Sequence, residues 1–164
     1  VDAFLARTVR DLKPGRALDV AIGQERNSVF LAKQGWDVAG YGLPDAGLAI
    51  ARANAEQAGV RINAVQASHD DFEFGNSRWR LIVTTDAFTG MRDQKFIERV
   101  CDSLAPGRIA LVEQINSGGM QPGPPNALFG AFQQLAILHD GDAADRADWS
   151  TKPARTGGIV AQKR

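Results

Sequence analysis

The sequence predicts an α/β fold: a doubly wound, mostly parallel sheet with an antiparallel last strand. Three observations carry this. Short β-branched-rich runs recur along the chain, amphipathic helical patterns separate them, and Pro/Gly/Asn punctuation marks the joints. The 164 residues are expected to form one domain, residues 1–164, long enough to bury a core without disulfides or metal.

The first strand is expected at residues 17–22 (ALDVAI), after the Pro14-Gly15 turn, and the second at 36–42 (WDVAGYG). Asp45, after Pro44, reads as an N-cap. Leu48, Ile50 and Ala53 read as the apolar positions of a helix stopped at Gly59. A third strand follows at 60–66 (VRINAVQ), then 81–85 (LIVTT) and 109–115 (IALVEQI), the last two typical of central parallel strands. Between these two, Phe96, Val100 and Leu104 repeat at helical spacing with Ile97 and Cys101 beside them, and Pro106-Gly107 is expected to end that helix. Residues 117–126 (SGGMQPGPPN) read as a loop. Leu128, Phe129, Phe132 and Leu135 read as a further helical stripe, and residues 158–162 as the final strand. Trp36, Trp79 and Trp149 flank strands and read as packing residues.

Composition narrows the function classes. Lys plus Arg is 19 and Asp plus Glu is 19, so the formal net charge is zero, which argues against electrostatically driven nucleic-acid binding. The single cysteine, Cys101, excludes an internal disulfide framework and fits a reducing, cytoplasmic setting. No apolar run reaches the length of a membrane span, and no signal peptide is visible. The chain starts at Val1 rather than Met, which leaves room for a missing N-terminal segment. A small-molecule substrate is the expected partner; the oligomeric state stays open.

In a sheet of this kind ligands bind outside the C-terminal strand ends. His69, Asp70, Asp71, Asp86, Glu25 and Glu113 fall there, as an acid/base cleft or as solvated loop polars. His69 and Asp86 are the candidate acid/base pair. No metal site is expected, because the spacing of these groups is not diagnostic. Cys101 on an apolar face reads as core rather than nucleophile, and His139 as structural.

The stretch GRALDVAIGQERNSVFLAKQGWDVAGYG resembles the first βαβ unit of class I S-adenosylmethionine-dependent methyltransferases, most of all the small branch that includes the tellurite-resistance methyltransferases. That pattern runs D-x-G-x-G-x-G-R-N-S and then G-W-D-V-x-G-x-D. The resemblance continues through VQASHDDFEFGNSRWRLIVTTDAF and SLAPGRIALVEQ, in order and along essentially the whole chain. It implies a Rossmann-like fold with S-adenosylmethionine as cofactor. The glycines let the first loop turn and admit the cofactor to the backbone, while the helix N-terminus faces its carboxylate. On the matching positions, the resemblance places cofactor contacts at Asp19, Ala21, Gly23, Gln24, Glu25, Asn27, Gly42, Leu43, Ser68, His69 and Thr85.

Several of these depart from the pattern. Asp19 and Gly23 match, but Ala21 and Glu25 replace glycines, and Gly42 replaces the acid that accepts both ribose hydroxyls. Ser68 replaces the Asp of the adenine loop. Arg80 replaces the Asp that opens the fourth strand, and Arg108 the second glycine after Pro106. The scaffold segments keep the pattern better than the cofactor loops do. The expectation is a methyltransferase, or a close derivative, with weakened cofactor binding and an unknown acceptor. The alternative is a non-catalytic or repurposed protein that uses the old cleft for another ligand or reaction.

Overall fold

A computed structural model describes residues 2–22, 26–85, 93–115, 130–145 and 154–164. Among them are helices α1 (Ala3–Val9), α2 (Arg26–Lys33), α3 (Asp45–Gln57) and α4 (Gln94–Ser103). The strands are β1 (Arg16–Val20), β2 (Asp37–Gly42), β3 (Asn63–Gln66), β4 (Trp79–Thr85), β5 (Leu104–Ile115), β6 (Ala136–Asp145) and β7 (Ala154–Gln162). They form one seven-stranded sheet in the order β3-β2-β1-β4-β5-β7-β6. β1 through β5 pair in parallel, whereas β7 runs antiparallel to both β5 and β6.

The sequence-based expectation of a mostly parallel sheet with an antiparallel last strand therefore holds, and the last strand comes with an antiparallel neighbour, β6. That strand begins at Ala136, just past the stripe expected to be helical. Within the described part of the stripe, Phe132 and Leu135 are buried core residues lying in a turn rather than along a helix. Two further boundaries differ. Pro106 and Gly107 do not end α4, which stops at Ser103; they lie inside β5, where Gly107 takes a φ of +72° and its N–H bonds Lys163. At α3 the N-cap position is Pro44, and Asp45 sits inside the first turn, where its charge still favours the helix dipole. The buried stripe of α3 is Leu48, Ala51 and Ala55, at i, i+3 and i+7. Ile50, 53% exposed, and Ala53 face solvent, because neither shares that face of a 3.6-residue period. Gly59, with φ +71°, stops the helix as expected. Helix α1 had no counterpart in the sequence reading; Asp2 caps it, with the Leu5 N–H donating to its Oδ1 at 2.6 Å.

Two packed layers cover the sheet. On one face Leu5 and Val9 of α1, Leu31 of α2 and Trp36 meet Ala17, Val38, Leu81, Val83, Ile109 and Leu111. On the other, Phe96, Ile97, Val100 and Cys101 of α4 pack with Leu18, Val20, Tyr41, Ile82 and Ala110, together with Phe72, Phe74 and Trp79. The alternation of β1 and β4 side chains between the two clusters is the period-two signature of strands buried on both sides. Leu81, Ile82 and Val83 have no exposed surface, and burying each contributes about 1.5–3 kcal/mol. Trp36 and Trp79 are buried as expected, while Trp149 lies outside the described residues.

Candidate functional site

The strand order turns at β1 and β4, which leave the sheet in opposite directions of connection. The crevice at their C-terminal ends is where this topology binds ligands. A polar group stands there on the α1/α2 face. Asp19, buried near the end of β1, accepts a 2.6 Å hydrogen bond from Ser28 Oγ in the first turn of α2. Asn27 is used at both ends: its Nδ2 donates to Thr85 Oγ1 at 3.1 Å, and its Oδ1 accepts the Asp2 N–H at 3.0 Å. Thr85 lies opposite the buried Glu113 in the β4–β5 ladder. The start of α1, the start of α2 and the end of β4 are thus tied at one point. The adjacent Thr84 Oγ1 is buried and accepts or donates no hydrogen bond among the described residues.

Ala21 leaves β1 with a φ of +56°, in the left-handed region that alanine occupies at a cost of about 1–2 kcal/mol. The family pattern places a glycine here, and the backbone keeps the glycine-type conformation although the residue does not favour it. The next N–H, of Ile22, bonds Tyr41 O at 2.9 Å and so folds the loop onto the end of β2. There Gly42 presents a bare backbone edge. A Cβ built on it would meet Ile22 Cγ2 at 3.7 Å and Leu48 Cδ2 at 3.8 Å, ordinary contact distances. Leu43 follows, 64% exposed, with its carbonyl held by Gln66 Nε2 at 3.0 Å.

His69 and Ser68 sit in the loop after β3. Ser68 is engaged within its own turn: Oγ donates to Asp71 Oδ2 at 2.6 Å and accepts the Asp71 N–H at 3.2 Å. His69 Nδ1 lies 2.8 Å from the Tyr41 hydroxyl, and its ring meets Tyr41 and Phe96 edge-on. Burial lowers the His69 pKa below its usual 6.5, Asp70 pulls it up and Arg99 pushes it down. Burial also pushes the Tyr41 hydroxyl well above the usual tyrosine range, against a smaller opposing effect of Arg99. Arg99 fastens the loop by donating from Nη1 to His69 O and from Nη2 to Phe72 O, both at 2.6 Å, with its guanidinium over the Phe74 ring.

Of the sequence-derived candidates, Asp19, Ala21, Asn27, Gly42, Leu43, Ser68, His69 and Thr85 all fall at the C-terminal edge of the sheet. They are not one cluster: Asp19, Asn27 and Thr85 belong to the α2 face and His69 to the Tyr41 side. Gly23, Gln24, Glu25 and Asp86 lie outside the described residues, and with Asp86 the His69–Asp86 pair. Cys101 is buried, and burial raises its thiol to about 11, so it is core and not a nucleophile. His139, in β6, packs against the Phe4 ring, a structural contact. Among the described residues no group of His, Cys, Asp or Glu is arranged to hold a metal, and no helix is long and apolar enough to cross a membrane. The sequence places Tyr41 at a C-terminal strand end without pointing to its hydroxyl, and it does not point to Arg99 at all. An arginine on an amphipathic helix reads as part of the solvated face, and only the fold brings its guanidinium to the His69 loop.

The protonation of His69 gives a testable pH dependence. Its folded pKa lies below the unfolded one, so between the two the unfolded chain binds more protons. Its contribution to stability is present above about pH 6.5 and is lost as pH falls through the folded value. Thermal melts from pH 8 to pH 5 are expected to decline less steeply in His69→Gln than in the parent; equal slopes would show that His69 titrates alike in both states.

A model of the family described as "Methyltransferase domain" matches residues 17–107, more than half of the chain. The chain belongs to this methyltransferase family. The ubiquinone biosynthesis O-methyltransferase of Azorhizobium caulinodans is 27% identical over 112 residues, 68% of this chain and 44% of that protein. The chain thus spans less than half the length of this curated relative. TehB from Haemophilus influenzae superposes with a TM-score of 0.84 at 17% identity, over 100% of this chain and 63% of that one. A SAM-dependent methyltransferase of Methanosarcina mazei gives 0.77 at 15% identity, over 96% of both chains. At these identities the two structures show a shared fold.

Proposed function

We propose that the chain binds S-adenosylmethionine in the crevice between β1, β2 and β4, as a methyltransferase or close derivative whose cofactor binding is weakened and whose acceptor is a small molecule. The observation that supports this most is Ala21 at φ +56°. The loop keeps a left-handed turn where the family pattern has a glycine, at an energetic cost to alanine.

The residues around it fit a nucleoside in part. Leu43 offers an exposed apolar surface for the base beside Gly42, and the open edge of Gly42 leaves room for the ribose but supplies no acid. Asp19 and the start of α2 face the amino-acid end. When bound, such a cofactor supplies an electrophilic methyl group. The chain's own part is then to bind, orient and exclude water, with little acid/base chemistry required. The missing acid at Gly42, with Asn27 and Ser68 engaged by protein partners, favours the second reading: a repurposed or non-catalytic protein holding another ligand in this cleft.

Amide chemical shifts during titration with S-adenosylhomocysteine test the location. Changes concentrated at Asp19–Ile22, Gly42–Leu43 and Ser68–His69 are expected. Saturable changes elsewhere, or none at millimolar ligand, contradict the proposal.

A further inference from the structure

The opposite edge of the sheet, at the N-terminal ends of β1 and β4, carries a feature the methyltransferase reading does not use. Two arginines stand over one buried tryptophan, and a third follows it in the chain. The Arg16 guanidinium carbon stands 5.3 Å from the Trp79 ring centroid and that of Arg78 4.8 Å from it. Arg80 follows Trp79 directly. Since Ala17 pairs with Leu81, Arg16 and Arg80 each precede the first paired residues of these adjacent strands, a juxtaposition that like charges disfavour. Arg80 is the residue that replaces the acid of the family pattern, so a carboxylate that would face Arg16 has become a third cation.

The placement of Arg80 is specific. Its stem lies over Gly15: a Cβ on Gly15 would stand 1.9 Å from Arg80 Cδ and 2.6 Å from its Nε. Only a glycine lets the side chain run there. The Arg80 Nε is buried and has no hydrogen-bond partner among the described residues. A buried guanidinium nitrogen without an acceptor is the kind of orphan that an unseen ion or water explains. The single ion pair formed by these arginines among the described residues is Arg16 with Asp37, at 3.6 Å between two well-exposed side chains, which is weak. Arg78 is exposed and stands over the indole.

We propose that Arg16, Arg78 and Arg80 form a site for a phosphate-class oxyanion, either inorganic phosphate or the phosphoryl group of a small monoester, on the edge of the sheet remote from the cofactor crevice. Guanidinium forks match phosphate oxygens, and Trp79 holds two of them in place by stacking. The site does not depend on the methyltransferase reading. It would tether a phosphorylated small molecule, and its occupation would raise the stability of the chain by mass action.

The test is a titration with sodium phosphate against sodium chloride of equal ionic strength, followed by thermal melts and by the indole N–H signal of Trp79, which reports folding through its 2.8 Å bond to Phe74 O. The parent is expected to show a saturable rise in melting temperature and a shift of that signal with phosphate only. Arg80→Asp and Gly15→Ala should each weaken phosphate binding at least tenfold, the second without changing net charge. Arg78→Gln, altering an exposed side chain, gives the same readout should Gly15→Ala not fold. Equal responses to phosphate and chloride, or equal phosphate affinities in parent and variants, overturn the proposal. Adenosine monophosphate should compete with phosphate. Binding of a DNA duplex with no response to either small anion would overturn the assignment and point to nucleic acid instead.

Discussion

Gly42→Asp is expected to tighten binding of S-adenosylhomocysteine at least tenfold. Gly42 ends β2, where the family pattern has an acid that accepts both ribose hydroxyls. Its backbone edge is open, a Cβ meets neighbours only at 3.7 Å and beyond, and its φ is not in the left-handed region. An aspartate therefore fits without strain. Each charge-assisted hydrogen bond it accepts contributes about 1.5–3 kcal/mol, and about 1.4 kcal/mol is a factor of ten in affinity. Even one well-made bond meets the tenfold expectation. Titration calorimetry on parent and variant in one buffer reads the effect. Unchanged affinity would mean that ribose does not lie against the end of β2, which would count against the crevice as a nucleoside site.

The second expectation joins Ala21→Gly with Glu25→Gly. Alone, Ala21→Gly should raise stability, because the chain already holds φ +56° there. The left-handed cost of about 1–2 kcal/mol for alanine is relieved, less the roughly 0.5–1 kcal/mol of extra chain entropy that glycine loses. A net gain of up to about 1.5 kcal/mol corresponds to a rise of up to roughly 6 °C in melting temperature for a chain of this size. Glu25 precedes α2 (Arg26–Lys33) in the sequence, and a carboxylate at a helix N-terminus is favoured by the dipole by about 0.3–1 kcal/mol. The same place is where the pattern docks the cofactor's own carboxylate. We propose that Glu25 substitutes for that anion and repels it. Removing it should cost a little stability, and the double variant should bind S-adenosylhomocysteine at least tenfold more tightly than the parent. Equal affinities would show that Glu25 points to solvent and that the loop accommodates the ligand without help.

The scaffold was legible because burial imposes period and punctuation on it. LIVTT, buried on both faces, could be little else than a central strand; of the stripe Phe96, Val100 and Leu104 all three are buried, the first two on α4 and Leu104 as the first residue of β5. Errors fell where tertiary pairing overrode local signals. Pro106-Gly107 looked like a helix stop, yet pairing with β4 draws the chain into β5 from Leu104 onward. Ala136 and Ile137 follow an apolar stripe of helical spacing, but β7 recruits them as an edge strand.

The site was half legible. Aligned motifs put its candidates at the C-terminal strand ends, where the described ones lie, and the alanine in place of a glycine marked the position that takes a φ of +56°. The partners of those residues were beyond reach. That Asn27 is taken by Asp2 and Thr85, and that His69 is held between Tyr41 and Arg99, depends on contacts separated by 25 to 58 positions in the chain, which no local pattern encodes. Arg80 shows the converse: its departure from the motif was visible in the sequence, but its course over Gly15 was not.

Calorimetric titration of the unmodified chain with S-adenosylhomocysteine checks the proposal that the crevice admits its cofactor but grips it weakly. Saturable one-to-one binding is expected, a few powers of ten weaker than a full motif would give, with a dissociation constant on the order of 0.1–1 mM, where 1 mM corresponds to about −4.1 kcal/mol. Micromolar or tighter binding would contradict the weakening, and no heat of binding at millimolar ligand would contradict the cofactor site itself.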